Sequence, residues 1–160
     1  MAFKPTTYPE EKSLMYRLLK TQLLALIDGV PHITANLANA SALLNHALKD
    51  INWVGFYFLK EDTLILGPFQ GNPACVEIKS GQGVCGTAVA EDNVQLVKNV
   101  HEFPGHIACD CASNSEIVIP IHHDGAVIGV LDIDSPILAR FDEEDAKGLL
   151  ELVKILEGMY

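Results

Sequence analysis

The stretch from residue 116 to residue 134 constrains the fold of this chain more than any other. Two runs rich in β-branched residues, 116–121 and 126–134, lie on either side of an Asp124-Gly125 pair. Two such runs joined by Asp-Gly are typical of a β-hairpin. We therefore predict two neighbouring antiparallel strands here, which places an antiparallel sheet at the centre of the fold.

Helices are predicted on either side of this sheet in the sequence. Thr7-x-x-Glu10 predicts a capping box that opens a first helix, which Gly29 ends and a second helix follows. A last helix is predicted to begin at an Asp142 cap. Because the 160 residues contain no repeat or linker, we predict one α+β domain over residues 1–160. The other predicted elements are strands at 51–59, 64–69, 75–78 and 94–97 and a short helix at 87–91.

Two carboxylates end an otherwise apolar stripe on the second strand of the hairpin. Side chains alternate along a strand, so Ile128, Val130, Asp132 and Asp134 are predicted to share one face. The two aspartates then lie about 7 Å apart along the strand. Charges at a strand end are usually solvated, so this pair alone does not define a site.

The register of the hairpin decides whether Glu116 joins these aspartates. A two-residue Asp124-Gly125 loop would place Glu116 opposite Ile133, on the other face of the sheet. A three-residue loop, 123–125, would place Glu116 opposite Asp132 instead. We favour the three-residue loop because it gathers the carboxylates and forms one core layer. That layer would contain Ile117, Ile119, Ile121, Val127, Leu131 and Ile133.

Three carboxylates in one dry pocket require a cation or raised pKa values. An organic ammonium group fits this requirement as well as a metal ion does. Trp53, on the first aromatic strand, could wall such a pocket or could be an ordinary core residue. The carboxylates therefore predict a pocket for a small cationic group without identifying it.

The four cysteines all lie between positions 75 and 111. In a reducing compartment such cysteines are core residues, metal ligands or redox groups. Two of them lie in the polar segment 99–115, which is long for a loop and typical of a functional one. Clustering of this kind predicts a single thiol site formed from Cys75, Cys85, Cys109 and Cys111.

Two further motifs suggest a dinucleotide site and a zinc site, but each lacks the context or the spacing that such a site requires. Residues 81–86 fit G-x-G-x-x-G but lack the parallel βαβ context of a dinucleotide site. They predict a glycine turn before a helix, or a turn that places Cys85 where a helix dipole would favour its thiolate. His106-x-x-Cys109-x-Cys111, with His101 upstream, does not have the spacing of a zinc knuckle. We assign no metal or cofactor.

Charge and hydropathy exclude several classes of partner. The net charge of −10 disfavours nucleic acid and anionic membrane surfaces as partners. The sequence has no apolar run of about 20 residues and no signal-peptide pattern near its N-terminus. We therefore expect a soluble, cytoplasmic protein.

Four segments resemble the free methionine-(R)-sulfoxide reductases. They are GQGVCG at 81–86, PGHIACD at 104–110, SEIVIPI at 115–121 and IGVLDIDS at 128–135, with NWVGFY at 52–57 in addition. The resemblance covers nearly the whole chain. It implies a single GAF domain, in which a six-stranded antiparallel sheet is flanked by N- and C-terminal helices.

The resemblance also implies a role for each cysteine that has a counterpart in the family. Cys109 is the attacking thiol that becomes a sulfenic acid, Cys75 resolves it as a disulfide, and Cys85 is auxiliary. Thioredoxin is then the expected reductant. Cys111 has no counterpart, so it leaves open which thiol resolves the intermediate.

The substrate implied by the resemblance is free methionine sulfoxide. Trp53 would face its S-methyl group, while Glu116, Asp132 and Asp134 would engage the free amino acid. Carboxylates near a thiol raise its pKa. We therefore expect Asp134 to be protonated and to serve the sulfoxide oxygen. A GAF-type sensor of a small ligand or of redox state is the alternative, and a homodimer through terminal helices is a further expectation.

Overall fold

Six strands form one antiparallel sheet in the order β3-β2-β1-β6-β5-β4. The structure is a computed structural model that describes residues 3–160; the first two residues of the predicted domain lie outside the described residues. The predicted α+β class is confirmed. Within residues 3–160, no helix is both long and apolar enough to cross a membrane. The elements are α1 (Lys12–Ile27), α2 (Ile33–Ala47), β1 (Trp53–Lys60), β2 (Thr63–Gly71), β3 (Glu77–Lys79), α3 (Gly83–Glu91), β4 (Gln95–Val97), a 3₁₀ turn (Val100–Glu102), β5 (Ser115–His123), β6 (Ala126–Ser135) and α4 (Glu143–Glu157).

The two faces of the sheet carry separate cores. Helices α1, α2 and α4 cover one face, where alternate residues of the central strands such as Phe56, Ile119 and Leu131 are fully buried. Helix α3 covers part of the other face, over Tyr57 and Val130. The second face is only partly covered by helix, so it is the face on which the loop 99–115 can approach the sheet.

The predicted capping box at the N-terminus is wrong. Helix α1 begins at Lys12, and its N-cap residue makes no side-chain capping hydrogen bond. The residues before the helix are instead held along its side. The Tyr8 hydroxyl donates to Gln22 Oε1 at 2.7 Å, and Gln22 Nε2 donates to Thr6 Oγ1 at 3.0 Å. The end of the helix is as predicted, because Gly29 follows it with a φ of 68°.

Helix α3 begins at Gly83, four residues before its predicted start at Thr87. Its first turn therefore contains the glycines that were expected to form only the preceding turn. The Gly81 N–H donates to the Gly86 carbonyl at 2.8 Å, which closes that turn directly against the helix. As a result, Cys85 lies within the first turn of the helix and not before it.

The loop of the β5–β6 hairpin differs from the predicted one. Asp124 and Gly125 have φ values of 49° and 78°, as a two-residue type I′ turn requires. His123 pairs directly with Ala126 on either side of this turn. The predicted three-residue loop is therefore wrong.

A β-bulge brings the carboxylates to one face in spite of this shorter loop. The register shifts by one residue between Ile121 and His122, which leaves Ile128 as the extra residue on β6. Glu116 consequently pairs with Asp134, and not with Asp132 as predicted. The bulge shifts the pairing by one residue in the opposite direction to the longer loop, and either shift brings Glu116 to the face of the aspartates.

The same bulge reverses two predicted positions near the tip of the hairpin. Ile128, predicted on the face of the acids, packs against the core under α1, α2 and α4. Val127, predicted in that core, is only half-buried and is not part of it. The rest of the predicted layer is confirmed, because Ile117, Ile119, Ile121, Leu131 and Ile133 are all buried there.

The predicted Asp142 cap of α4 is confirmed and belongs to a larger buried network. Asp142 and Asp145 form a reciprocal capping box. Asp145 is fully buried (0%) and accepts hydrogen bonds from Lys12 Nζ at 2.6 Å and from the Tyr16 hydroxyl at 2.7 Å. Arg140 lies 3.5 Å from the same carboxylate. This network joins the beginning of α1 to the beginning of α4.

We expect Asp145→Ala to destabilise the fold by about 2–4 kcal/mol, since it removes a helix cap and the buried partner of Lys12. Urea denaturation followed by circular dichroism measures the change. Glu144→Ala is the matched control, because Glu144 is exposed in the same helical turn and surface changes stay within about 0.5 kcal/mol. Equal losses in the two variants would contradict a special role for the network.

Candidate active site

A cavity opens on the second face of the sheet, beneath the loop 99–115. Its walls come from strands β1, β5 and β6, from the first turn of α3 and from that loop. The space between its walls is about 490 Å³, counting the part open to solvent. Of the predicted site residues, those that line it are Trp53, Cys85, Cys109, Glu116, Asp132 and Asp134.

Strand pairing places three of these side chains in one row across the sheet. Trp53 on β1 pairs with Asp134 on β6, and Asp134 pairs on its other side with Glu116 on β5. Asp132 lies two residues along β6, on the same face. The cavity floor is thus an aromatic ring beside a group of three carboxylates.

Trp53 is both a core residue and a wall of the cavity. It is 2% exposed, and its ring stacks between Tyr57 and Phe69 at centroid distances of 5.9 and 5.2 Å. A Cβ on Gly55 or on Gly71 would lie 2.6 Å from the indole ring, so these two glycines leave the space that it occupies. The two interpretations of Trp53 in the sequence are therefore compatible.

The three carboxylates are held where ionisation is unfavourable. Glu116 and Asp132 are each 6% exposed. Burial raises the pKa of Asp132 to about 6 and raises the pKa values of Glu116 and Asp134 well above their usual range, with repulsion from Asp132 as the next cause. The cavity therefore favours the protonated forms of these carboxyl groups more than water does.

Cys85 does not carry the stabilised thiolate that its place near a helix N-terminus led us to consider. It is 3% exposed, and its Sγ lies 3.9 Å from Glu116 Oε1. Burial, and then the charges of the three carboxylates, raise the pKa of its thiol well above the usual value. Desolvation and the neighbouring acids outweigh the helix dipole, so Cys85 is a neutral thiol.

Cys109 and Cys75 form a disulfide at one side of the cavity. Their Cα atoms lie 5.5 Å apart, and the bond joins the loop before β5 to the segment between β2 and β3. Cys109 lines the cavity directly. Cys111 is exposed and free. The thiols that can exchange a bond next to the carboxylates are therefore Cys109 and Cys75.

Known proteins share this fold and sequence. Residues 19–157 match the GAF domain family. The free methionine-R-sulfoxide reductase of Escherichia coli is 56% identical over 146 residues, which cover 91% of this chain and 88% of that protein. The chain belongs to the family of GAF-domain free methionine-R-sulfoxide reductases.

Solved structures of this family agree. One is the Neisseria meningitidis enzyme in complex with its substrate, with a TM-score of 0.94, 44% identity and coverage of 99% of this chain and 95% of that chain. Another is fRMsr of Staphylococcus aureus in complex with substrate, with a TM-score of 0.87, 55% identity and coverage of 96% and 98%. The GAF fold implied by the sequence motifs is confirmed.

Four residues that sequence reasoning did not select, Asn52, Asn72, Asp110 and Ser113, form hydrogen bonds beside the cavity. Asp110 accepts hydrogen bonds from Asn52 Nδ2 at 3.1 Å, from Asn72 Nδ2 at 3.3 Å and from the Ala112 N–H at 2.9 Å. Asn52 Nδ2 also donates to Ser113 Oγ at 3.1 Å. These contacts attach the loop that carries Cys109 to the ends of β1 and β2.

Asp110 differs electrostatically from the inner acids. The backbone hydrogen bond from Ala112, together with the two asparagine side chains, lowers the pKa of Asp110 below its usual value. Its ionised form is therefore favoured, whereas burial favours the protonated forms of Glu116 and Asp134. Its position directly after Cys109 could have drawn attention to it, but its asparagine partners are distant in the sequence.

The zinc motif considered in the sequence does not converge on one point. Cys109 is bonded to Cys75, and Cys111 is exposed. Among residues 3–160, the ligand atoms that come together are those of Cys85, Glu116 and Asp132. Among the described residues, grouped metal-ligating atoms are thus found at the cavity floor and not in the His106 loop.

Proposed function

We propose that this chain reduces free methionine (R)-sulfoxide to methionine by thiol chemistry at Cys109. The observation that carries the proposal is the Cys75–Cys109 disulfide beside the cavity lined by Trp53, Glu116 and Asp134. A redox-active pair next to an aromatic wall and polar carboxyls matches what a small, polar sulfoxide requires. The names of the family members in Escherichia coli and Neisseria meningitidis support the same activity.

The proposed first step transfers the sulfoxide oxygen to the protein. Asp134 donates a proton to the sulfoxide oxygen, which makes the sulfoxide sulfur more electrophilic, and its raised pKa keeps that proton available. The sulfur of Cys109 attacks and gives its own proton back to Asp134; the oxygen then passes to Cys109, so that a Cys109 S–O bond forms as the S–O bond of the substrate breaks. Cys109 is oxidised to a sulfenic acid, and methionine leaves as a thioether, two electrons more reduced.

The proposed second step uses Cys75 as the resolving thiol. Its sulfur condenses with the sulfenic acid of Cys109, which forms the disulfide and releases water. An external dithiol then returns two electrons and two protons, and we infer thioredoxin from the family resemblance. Such a cycle requires a reducing compartment, so we place the protein in the cytoplasm. The homodimer remains a prediction.

Selectivity for the free amino acid follows from charge. A free amino acid carries an α-ammonium group, whereas a methionine residue within a peptide has a neutral amide nitrogen. Glu116 and Asp132 line the cavity, where a bound ammonium group would favour their ionised forms, and the pKa of Asp110 at the cavity wall is lowered. We propose that these acids bind the ammonium group, which a peptide substrate cannot supply.

The test is turnover with each epimer of free methionine sulfoxide. The reduced protein is incubated with dithiothreitol and either the R or the S epimer, and methionine is quantified by chromatography. We expect catalytic release of methionine from the R epimer alone, with a methionine sulfoxide residue in a short peptide left unreduced. Stoichiometric binding of the R epimer without turnover would instead favour a ligand or redox sensor.

A further inference from the structure

The floor of the cavity has the arrangement of a metal site. Cys85 Sγ, one oxygen of Glu116 and one of Asp132 lie within 4.8 Å of one another, and all three residues are buried. Sγ and Glu116 Oε1 are 3.9 Å apart. Around tetrahedral Zn²⁺, a thiolate at about 2.3 Å and a carboxylate oxygen at about 2.0 Å are about 3.5 Å apart. A contraction of a few tenths of an ångström would let them share one ion.

An unpartnered oxygen points to a missing ligand at the same place. Asp132 Oδ1 is buried and has no hydrogen-bond partner. A buried polar atom without a partner destabilises the protein, because it has lost its hydrogen bonds to water. A cation in the cavity would satisfy Asp132 Oδ1 and would also relieve the repulsion among the neighbouring acids.

We propose that Cys85, Glu116 and Asp132 bind one thiophilic divalent ion of the Zn²⁺ class in the reduced protein. The sulfur ligand and the low ligand number favour Zn²⁺ over Mg²⁺ or Ca²⁺, which take six or more oxygen ligands. Binding breaks the S–H bond of Cys85, releases its proton to solvent and forms a metal–sulfur bond, with no change of oxidation state.

The ion and the substrate exclude each other. Glu116 and Asp132 cannot both bind a metal and receive the ammonium group of an amino acid, so this part of the inference rests on the proposed function. Zn²⁺ bound at this site therefore inhibits the enzyme competitively.

Cobalt(II) is the probe, because a Co²⁺–thiolate bond gives a charge-transfer band in the near ultraviolet. The full chain is reduced, freed of reductant under argon and titrated with Co²⁺. We expect the band to reach saturation at one equivalent and Zn²⁺ to displace it. Cys85→Ala abolishes the band, whereas Cys111→Ser, the matched control at the exposed cysteine, retains it.

Glu116→Gln supplies a second variant that leaves every thiol in place. We expect this substitution to weaken Co²⁺ binding by at least about tenfold, because it removes a metal ligand. If circular dichroism shows that Cys85→Ala is unfolded, Glu116→Gln is the variant that tests the proposal. A band that survives in folded Cys85→Ala, or disappears in Cys111→Ser, overturns the proposal. So does unchanged affinity in Glu116→Gln.

Competition with methionine separates this inference from the proposed function. Saturating free L-methionine, the product, should weaken Co²⁺ binding, and Zn²⁺ should raise the KM for the sulfoxide while leaving kcat unchanged. Turnover without any Co²⁺ band would refute the metal site and leave the reductase intact. A Cys85-dependent band in a protein without turnover would support the metal site and refute the reductase function.

Discussion

Cys109→Ser lowers kcat for free methionine (R)-sulfoxide by at least about 10³-fold, because a neutral hydroxyl replaces the sulfur that must take up the oxygen. The expectation rests on the position of Cys109 at the cavity wall and on its bond to Cys75. Methionine release in the dithiothreitol assay measures the loss, and the fold is checked by circular dichroism.

The other cysteines provide the controls for this result. Cys111→Ser should retain turnover, since its exposed sulfur takes no part in the disulfide. Cys75→Ser should lose turnover with thioredoxin but keep part of it with dithiothreitol, which can reduce a sulfenic acid directly. Substantial activity in Cys109→Ser would show that another thiol is the nucleophile and would remove the proposed mechanism.

Asp134→Asn is expected to lower kcat by about 10²- to 10³-fold, the usual contribution of a general acid. Burial raises the pKa of Asp134, so its proton is present below that raised pKa and is lost as the pH rises through it. The wild-type rate should therefore fall on the alkaline side. In the Asp134→Asn variant this alkaline fall in rate should be absent, because an amide does not titrate in that pH range.

The matched control for this prediction is Asp124→Asn at the tip of the same hairpin. Asp124 is exposed and has a positive φ, which asparagine also tolerates. Its pH–rate profile should match that of the wild type. If Asp134→Asn keeps both the rate and the profile of the wild type, Asp134 is not the acid and another group protonates the oxygen.

Local patterns predicted the central part of this fold well. Alternation along 126–134 indicated that Asp132 and Asp134 share a face. The cluster of cysteines indicated one thiol site, but Cys111 is exposed and does not line the cavity. Both properties depend on a few neighbouring residues. The pairing of Cys75 with Cys109 was implied by the family resemblance and could not have been read from spacing alone.

The errors arise where tertiary contacts override local pattern. Thr7 has the spacing of a helix cap, but contacts of Tyr8 and Thr6 with Gln22 hold that segment along the helix instead. The hairpin contains the expected turn residues, yet a bulge at Ile128 sets its register. Nothing in the sequence of a strand marks which residue will be extra, because the neighbouring strand decides it.

The hydrogen bonds around Asp110 show the same limit at the site. Asn52, Asn72 and Asp110 are each unremarkable in the sequence, and they meet only because the sheet brings the ends of β1 and β2 beneath the loop. Similarly, the thiol of Cys85 was judged by its helix alone. Its acidity depends on carboxylates that lie on two different strands.

The bulge at Ile128 also separates the tip of the hairpin from the carboxylates on the floor of the cavity. Beyond it, residues 122–127 follow their own alignment, whereas 129–134 pair on both sides with β1 and β5. We therefore expect residues inserted or deleted near Asp124 to change the structure of the hairpin tip and to leave the positions of the carboxylates unchanged. That tip is where a label or an affinity tag can be introduced while the chemistry 20 Å or so away, by the rise of a strand, stays undisturbed.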